Sequence, residues 1–449
     1  MKIDSPRSRL AVGLLLALVC AMFLFTRAAI ANADSLTIAY TGNLEGHLEP
    51  CGCAAESDFG GLDRHAVWLD RLRAERPEMI AIAQGGLLTG GGVTERIKAE
   101  FILRGFALLN YDAIALRWPD LAFGRELLAH TPLPWTASNW RGNDWALTRE
   151  IARGGRKVTF LSWLDPETAP KTTGGAAIYP LDATTISLAE RIAQARKEGN
   201  LVILAATGDA ASTGHLPLTG VDLLLLDATE TMGEPTRLGE TLVLHPGKWG
   251  MHAGILDLQV DAQGRVIAWQ HRVASLGADL GHAPRMADWH AAYTERVRAA
   301  SRERVAVLRA QRQGETGPFL GAQKCQACHP RPFAAWSSSR HAQALSTLER
   351  VNKGFDPDCL VCHTVGFNRP GGFIDTGVTP QLAGVQCESC HGPGREHVQE
   401  GHDKKMPPTA DQTEALCRGC HNALHAPAFE FKHFRRRGIP CGHGDAGTP

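Results

Sequence analysis

One five-residue phrase occurs four times near the C-terminal end of this 449-residue chain. The copies are Cys325-Gln326-Ala327-Cys328-His329, Cys359-Leu360-Val361-Cys362-His363, Cys387-Glu388-Ser389-Cys390-His391 and Cys417-Arg418-Gly419-Cys420-His421, each about thirty residues after the last. C-x-x-C-H is the attachment signature of c-type haem. Two thiols three positions apart reach the two vinyl groups of one porphyrin, and the histidine that follows meets the iron. A zinc half-site or a redox dithiol would account for a single C-x-x-C, but neither demands histidine after every second cysteine. Four covalent c-type haems are therefore expected, on Cys325 and Cys328, Cys359 and Cys362, Cys387 and Cys390, and Cys417 and Cys420. His329, His363, His391 and His421 would be the proximal iron ligands. After Gly321, Pro, Gly and His interrupt every candidate element, and few apolar runs exceed three residues. Some 125 residues of that kind could hardly build a conventional core, so the porphyrins are expected to supply the missing apolar surface.

The length suggests two or three domains. Lys plus Arg equals Asp plus Glu, 47 each, a balance that gives no support to nucleic-acid binding. Lys2, Arg7 and Arg9 precede an apolar run from Ala11 to Phe25, and Ala31-Asn32-Ala33 offers an A-x-A cleavage site. Residues 1–33 thus read as an export signal; membrane attachment is expected only if this segment stays uncleaved. Cys20 is no lipidation site, since Val19 before it is not small. Covalent haem attachment takes place on the exported side of bacterial membranes, so signal and motifs agree on a periplasmic address.

Residues 34–285 alternate short apolar runs with amphipathic stretches. Leu36–Tyr40, Ile80–Ala83, Ala113–Leu116 and Leu201–Leu204 read as strands covered on both faces. Leu62–Glu75, Glu95–Leu109 and Thr184–Glu198 carry helical spacing. Gly254–Val260 and Arg265–His271 flank Asp261-Ala262-Gln263-Gly264 as a hairpin. Ala287–Gln313 contains no Gly or Pro, so residues 286–315 read as a connecting helix, either a rigid spacer or packed on the first domain. The fold expected is an α/β sandwich domain followed, over residues 316–449, by a mainly helical, haem-cored domain.

Phrases around the motifs resemble the tetrahaem cytochrome c-554 family across residues 318–444. They are Phe319-Leu320-Gly321-Ala322-Gln323-Lys324-Cys325, Trp336-Ser337-Ser338-Ser339-Arg340-His341-Ala342, Cys362-His363-Thr364-Val365-Gly366-Phe367, and Cys387 through Gly394 with His397. The resemblance implies electron transfer through closely stacked haems, mostly bis-histidine. It implies distal ligands at His341, His397 and His443, the last in Gly438-Ile439-Pro440-Cys441-Gly442-His443-Gly444. His402, His425 and His433 lack such a context. Three distal candidates for four irons leave one haem, by position the second, without an assigned partner. A redox-protein donor and acceptor are implied but not named.

Thr41-Gly42-Asn43-Leu44-Glu45-Gly46-His47 and Gly60-Gly61-Leu62-Asp63-Arg64 resemble the opening of 5′-nucleotidase-type, calcineurin-like metallophosphoesterases. Enzymes of that kind activate water on two metals held by Asp and His. The phrases that would carry those ligands here read Asn43-Leu44-Glu45, Gln84-Gly85-Gly86, Arg117-Trp118-Pro119-Asp120 and Asp227-Ala228-Thr229-Glu230. With all four groups lost, the resemblance implies the fold without phosphoesterase chemistry. One cluster departs from that decay: Glu45, His47, Cys51 and Cys53 stand within nine residues, either as a separate metal or redox site or as structural residues of a Gly-rich turn. Cys441 is a further cysteine outside the motifs.

Two functional readings stay open. One is a periplasmic carrier moving electrons between redox partners through four haems, its first domain used for docking. The other is an oxidoreductase acting on a small nitrogen compound or other ligand at a five-coordinate haem.

Overall fold

The structure, a computed structural model, describes residues 34–436 apart from 51–54, 92, 173–174, 177–178, 183, 209–210, 262, 312–316 and 401–409. The expected signal, residues 1–33, and Cys51, Cys53, His402, Cys441 and His443 lie outside the described residues. Among the described residues, no helix is long and apolar enough to cross a membrane.

The chain forms two compact units. One holds Met1–Glu49, Gly60–Gly90 and Ile102–Met286; the other holds Pro50–Phe59, Gly91–Phe101 and Ala287–Pro449.

The first unit carries the strands β1 (Asp34–Thr41), β2 (Ile80–Ala83), β3 (Ala113–Ala115), β4 (Trp135–Thr136), β5 (Arg149–Arg153), β6 (Arg156–Trp163), β7 (Lys171–Thr172), β8 (Gly175–Ala176), β9 (Leu201–Ala206), β10 (Leu223–Leu225), β11 (Thr236–Leu238), β12 (Thr241–Leu244), β13 (His252–Val260) and β14 (Val266–Ser275). Two mixed six-stranded sheets result, ordered β14-β13-β1-β2-β3-β4 and β11-β12-β10-β9-β6-β5. Within the first sheet β1 to β4 run parallel, and the hairpin β13–β14 adds antiparallel to β1. Alternation along β9 shows why both sheets are so apolar. Leu201, Ile203 and Ala205 join Ile38, Ile80, Ile82 and Phe160 in one core, whereas Val202, Leu204 and Ala206 join Leu161, Trp163, Leu188 and Ile192 in another. The first core lies between the sheets; the second lies under helix α4 (Ile186–Lys197), so β9 is covered on both faces. Helices α1 (Leu62–Glu75), α2 (Val93–Leu109) and the short α3 (Arg125–Ala129) complete the chain order before α4. In α1 the inward stripe is Leu62, Ala66, Leu69 and Leu72, all buried at helical spacing.

The second unit begins with α5 (Ala287–Gln311) and continues through α6 (Pro330–Ser337), α7 (Ala344–Arg350), α8 (Pro357–His363), α9 (Cys387–His391), α10 (Arg395–Glu400), α11 (Ala410–Arg418) and α12 (Phe431–Arg436). The long helix is no free spacer, because it packs within this unit. Its Arg298 and Arg304 guanidiniums sit 4.6 and 4.3 Å from the ring centres of Phe355 and Phe367, and Arg309 bonds Asp375 at 2.8 Å. Cation–π contacts thus anchor it to the loops around the second haem motif. Phe319, Leu345, Leu348, Leu360, Val365, Phe367, Phe373 and Leu382 form a buried apolar cluster. The unit therefore owns a small protein-built core, beyond what its sparse aliphatic content suggested, because three phenylalanines supply much of the volume.

Candidate haem sites

Each motif winds as one helical turn, which brings its first cysteine, second cysteine and histidine to one side. The second and third lie within α8 and α9. In the first, the His329 amide bonds the Cys325 carbonyl at 2.9 Å; in the fourth, His421 does the same to Cys417 at 2.9 Å. Helix α8 starts where it does because the Asp356 side chain caps the Asp358 amide and Pro357 fills the first turn. Leu360, between the two cysteines of α8, is buried in the apolar cluster, and Cys359 packs against it. None of the eight motif cysteines is in a disulfide.

Two histidine pairs stand at an informative spacing. The ring centres of His329 and His397 are 6.2 Å apart with planes at 25°, and those of His341 and His421 are 6.1 Å apart at 48°. A metal–imidazole bond is about 2.0–2.1 Å, and a ring nitrogen lies about 1.1 Å from its ring centre, so two imidazoles on opposite faces of one iron put their centres roughly 6.2 Å apart. Both pairs therefore fit a bis-histidine iron. Burial pushes the pKa of His341 down, and the neighbouring His421 and His363 push it further; burial does the same to His421. Neutral imidazole is the ligand form. The Nδ1–H of His363 donates to the Ala344 carbonyl at 2.7 Å, the second-shell arrangement metal-bound histidines use. Among the described residues, no histidine ring is paired with His363 as His397 is with His329.

The thiols also pair. Cys387 is pulled down to about 7 by a hydrogen bond with Cys325, and Cys420 to about 7 by one with Cys362. Motif one thus lies beside motif three, and motif two beside motif four. A residue that motif reading passed over holds the first of these contacts together. Glu388, between the cysteines of α9 and only 3% exposed, accepts from the amides of Leu320 at 2.9 Å, Gly321 at 2.7 Å and Gly394 at 2.6 Å. Gln386 accepts from the Ala322 amide at 2.6 Å. An acidic residue inside an attachment motif was the available signal. His433 is exposed, and His425 half-buried.

The Glu45–His47 cluster is organised differently. Glu45 bonds Lys248 Nζ at 3.3 Å and accepts from Trp249 Nε1 at 3.1 Å, while the His47 ring sits 6.2 Å from that of Trp249. The Glu45 carboxylate is thus engaged by two protein donors. Among the described residues, no three His, Cys, Asp or Glu side chains converge as a metal-ion cage.

The ends of β2, β3 and β10 carry the other phrases compared with dimetal hydrolases. Gln84 is fully buried, and its Nε2 donates to the Ala206 and Leu225 carbonyls at 3.2 and 3.3 Å. Gly86 is in the left-handed region at φ +63°, and a Cβ there would lie 2.6 Å from Asn43 Nδ2, so any side chain at this position would be strained and would displace Asn43. The donors present do not fit a pair of divalent metals.

Comparison with known proteins divides along the same line. Residues 324–392 match the family of cytochrome c554 and c-prime. Cytochrome c-554 of Nitrosomonas europaea is 33% identical over 135 residues, covering 23% of this chain and 57% of that protein. The multiheme cytochrome MtrA of Shewanella baltica is 30% identical over 101 residues, covering 20% of this chain and 30% of its own length. The C-terminal part resembles cytochrome c-554. The chain spans little more than half of one of these relatives and under a third of the other. The solved 5′-nucleotidase precursor of Thermus thermophilus superposes with a TM-score of 0.51 at 19% identity, covering 59% of each chain. That likeness is one of fold: the N-terminal part has the α/β metallophosphoesterase architecture.

Proposed function

We propose that this protein is a periplasmic tetrahaem c-type cytochrome that passes electrons between redox-protein partners. The observation that carries this reading is the pair of histidine couples, His329 with His397 and His341 with His421, each spaced for one iron. Bound haem would supply one-electron chemistry at an iron that bis-histidine ligation holds low-spin. The chain's own residues hold and orient it. Each cysteine pair would anchor one porphyrin edge, and each motif histidine would offer a ring nitrogen to one face. The Ala344 carbonyl fixes the tautomer of His363, and burial of His341 keeps its ring unprotonated. The Cys325–Cys387 and Cys362–Cys420 contacts support two close haem pairs, one built on motifs one and three and the other on motifs two and four.

A second reading is favoured for motif two alone. His341, whose pKa the nearby His363 helps to lower, is paired with His421, so the iron at His363 is proposed to be five-coordinate and open to small ligands such as nitric oxide. The first unit is proposed to be a docking fold that hydrolyses no phosphoester.

Intact mass of the matured protein should show four haems. Electron paramagnetic resonance should show three low-spin irons and one high-spin iron, and His397→Ala should convert one further iron to high spin. Fewer than four haems, or an unchanged spin count in His397→Ala, would defeat the ligation scheme; four low-spin irons in the native protein would defeat the vacancy. Phosphomonoester hydrolysis above a metal-only blank would defeat the inert-fold reading.

A further inference from the structure

A fully buried guanidinium is costly unless its N–H groups are matched and its charge is met. Arg117, 2% exposed at the end of β3, meets both demands. Its Nε donates to the Gln84 carbonyl at 2.9 Å, Nη1 to Thr207 Oγ1 at 2.8 Å, and Nη2 to the Ala206 carbonyl at 2.8 Å. Asp227 Oδ1 lies 3.4 Å from Nη2 and is itself tied to the Gly208 amide through Oδ2 at 2.7 Å. Those partners come from the ends of β2 and β9 and the turn after β10. Three residues on, Asp120 is fully buried and accepts from the amides of Gly86 at 2.9 Å, Leu87 at 2.7 Å, Leu88 at 3.3 Å and Arg117 at 3.0 Å. Four strand-end segments are therefore gathered around one cation and two carboxylates. Burial pulls the pKa of Arg117 down while Asp227 and Asp120 pull it back.

In a dimetal hydrolase of this fold, divalent ions gather those strand ends. The donors left here cannot do so: both carboxylates are committed to backbone amides, and the leftover buried acceptor, Gln84 Oε1, is a single neutral oxygen. We infer that Arg117 is the resident cation of this strand-end site, an internal guanidinium standing in for the metal pair, so that the first unit assembles with no divalent ion and takes none up there. This builds on the inert-fold reading, but metal uptake and loop stability test it rather than hydrolysis, so either can fail alone.

The experiment uses the full-length haem-loaded protein. Wild type is titrated with Mn²⁺ while the free aquo-ion is followed by electron paramagnetic resonance, and hydrogen exchange is measured at residues 84–88 and 206–208 with and without EDTA or Mn²⁺. No Mn²⁺ should be withdrawn, and exchange at those amides should not change. The same amides are then measured in Arg117→Met and Arg117→Lys. Methionine keeps bulk but leaves Asp120 and Asp227 uncompensated, so protection there should fall at least a hundredfold. Lysine keeps charge without the fork and should lose less. Should Arg117→Met fail to fold, the wild-type metal arm and Arg117→Lys still decide. Binding of one or two Mn²⁺ per chain that slows exchange at residues 84–88, or wild-type protection in Arg117→Met, would overturn the inference.

Discussion

The two units solve the same problem with opposite means. In the first, β9 buries every residue from Leu201 to Ala206, and the apolar matter on both its faces comes from the chain itself. In the second, one eight-residue cluster surrounds Leu360, whereas α6 has no buried residue and the first motif is largely exposed. The thiols and imidazoles there are the groups through which covalent porphyrins would add apolar surface. The difference teaches that apolar content measures who supplies the core, not whether there is one.

The hardest test of that contrast removes one haem. Cys387→Ser with Cys390→Ser should abolish cooperative unfolding of the second unit and leave the first unit's transition intact, seen as two separable transitions becoming one in denaturant. A haem-deficient second unit that still unfolds cooperatively would put its core in the protein after all. Next in size is Glu388→Gln, which weakens charge-assisted bonds to three backbone amides. It should cost the second unit about 2–3 kcal/mol in urea and leave the first unchanged.

The first unit has its own signature in pH. His65 is completely buried against Tyr111, whose hydroxyl lies 2.8 Å from its Nε2, and burial pushes its pKa down from the usual 6.5 to about 3. Between those values the unfolded chain binds a proton that the folded one refuses, so stability is present above pH 6.5 and is lost as pH falls. The loss should be about 2 kcal/mol by pH 5, and His65→Gln should flatten it. An equal slope in the variant would assign the effect elsewhere. The smallest stability effect belongs to His397→Ala, expected within about 1 kcal/mol because the thioethers and His329 still hold the haem.

Much of this was readable in the letters, and the reasons differ by unit. Leu62–Glu75 appears with the bounds its spacing implied, because Gly61, at φ +88°, sets its start and its apolar stripe is unbroken. Leu201–Leu204 was legible as an apolar run of strand length, although the run continues to Ala206. Strands such as β10 and β12 were harder, being three or four residues long and specified only by their neighbours. The packing of α5 was invisible, since its partners Phe355 and Phe367 lie more than fifty residues downstream of Arg298 and Arg304. Arg117 was missed for another reason. Matching a ligand pattern records what has vanished, and a replacement of different chemistry leaves no trace in the pattern.

The contact between Cys325 and Cys387 bears on how the chain matures. The two cysteines stand sixty-two residues apart in the chain, yet their side chains share a hydrogen bond. Porphyrins attached at motifs one and three would therefore have neighbouring edges, and the order in which the two are attached would matter. The chain between the motifs has to stay open until both attachments are made.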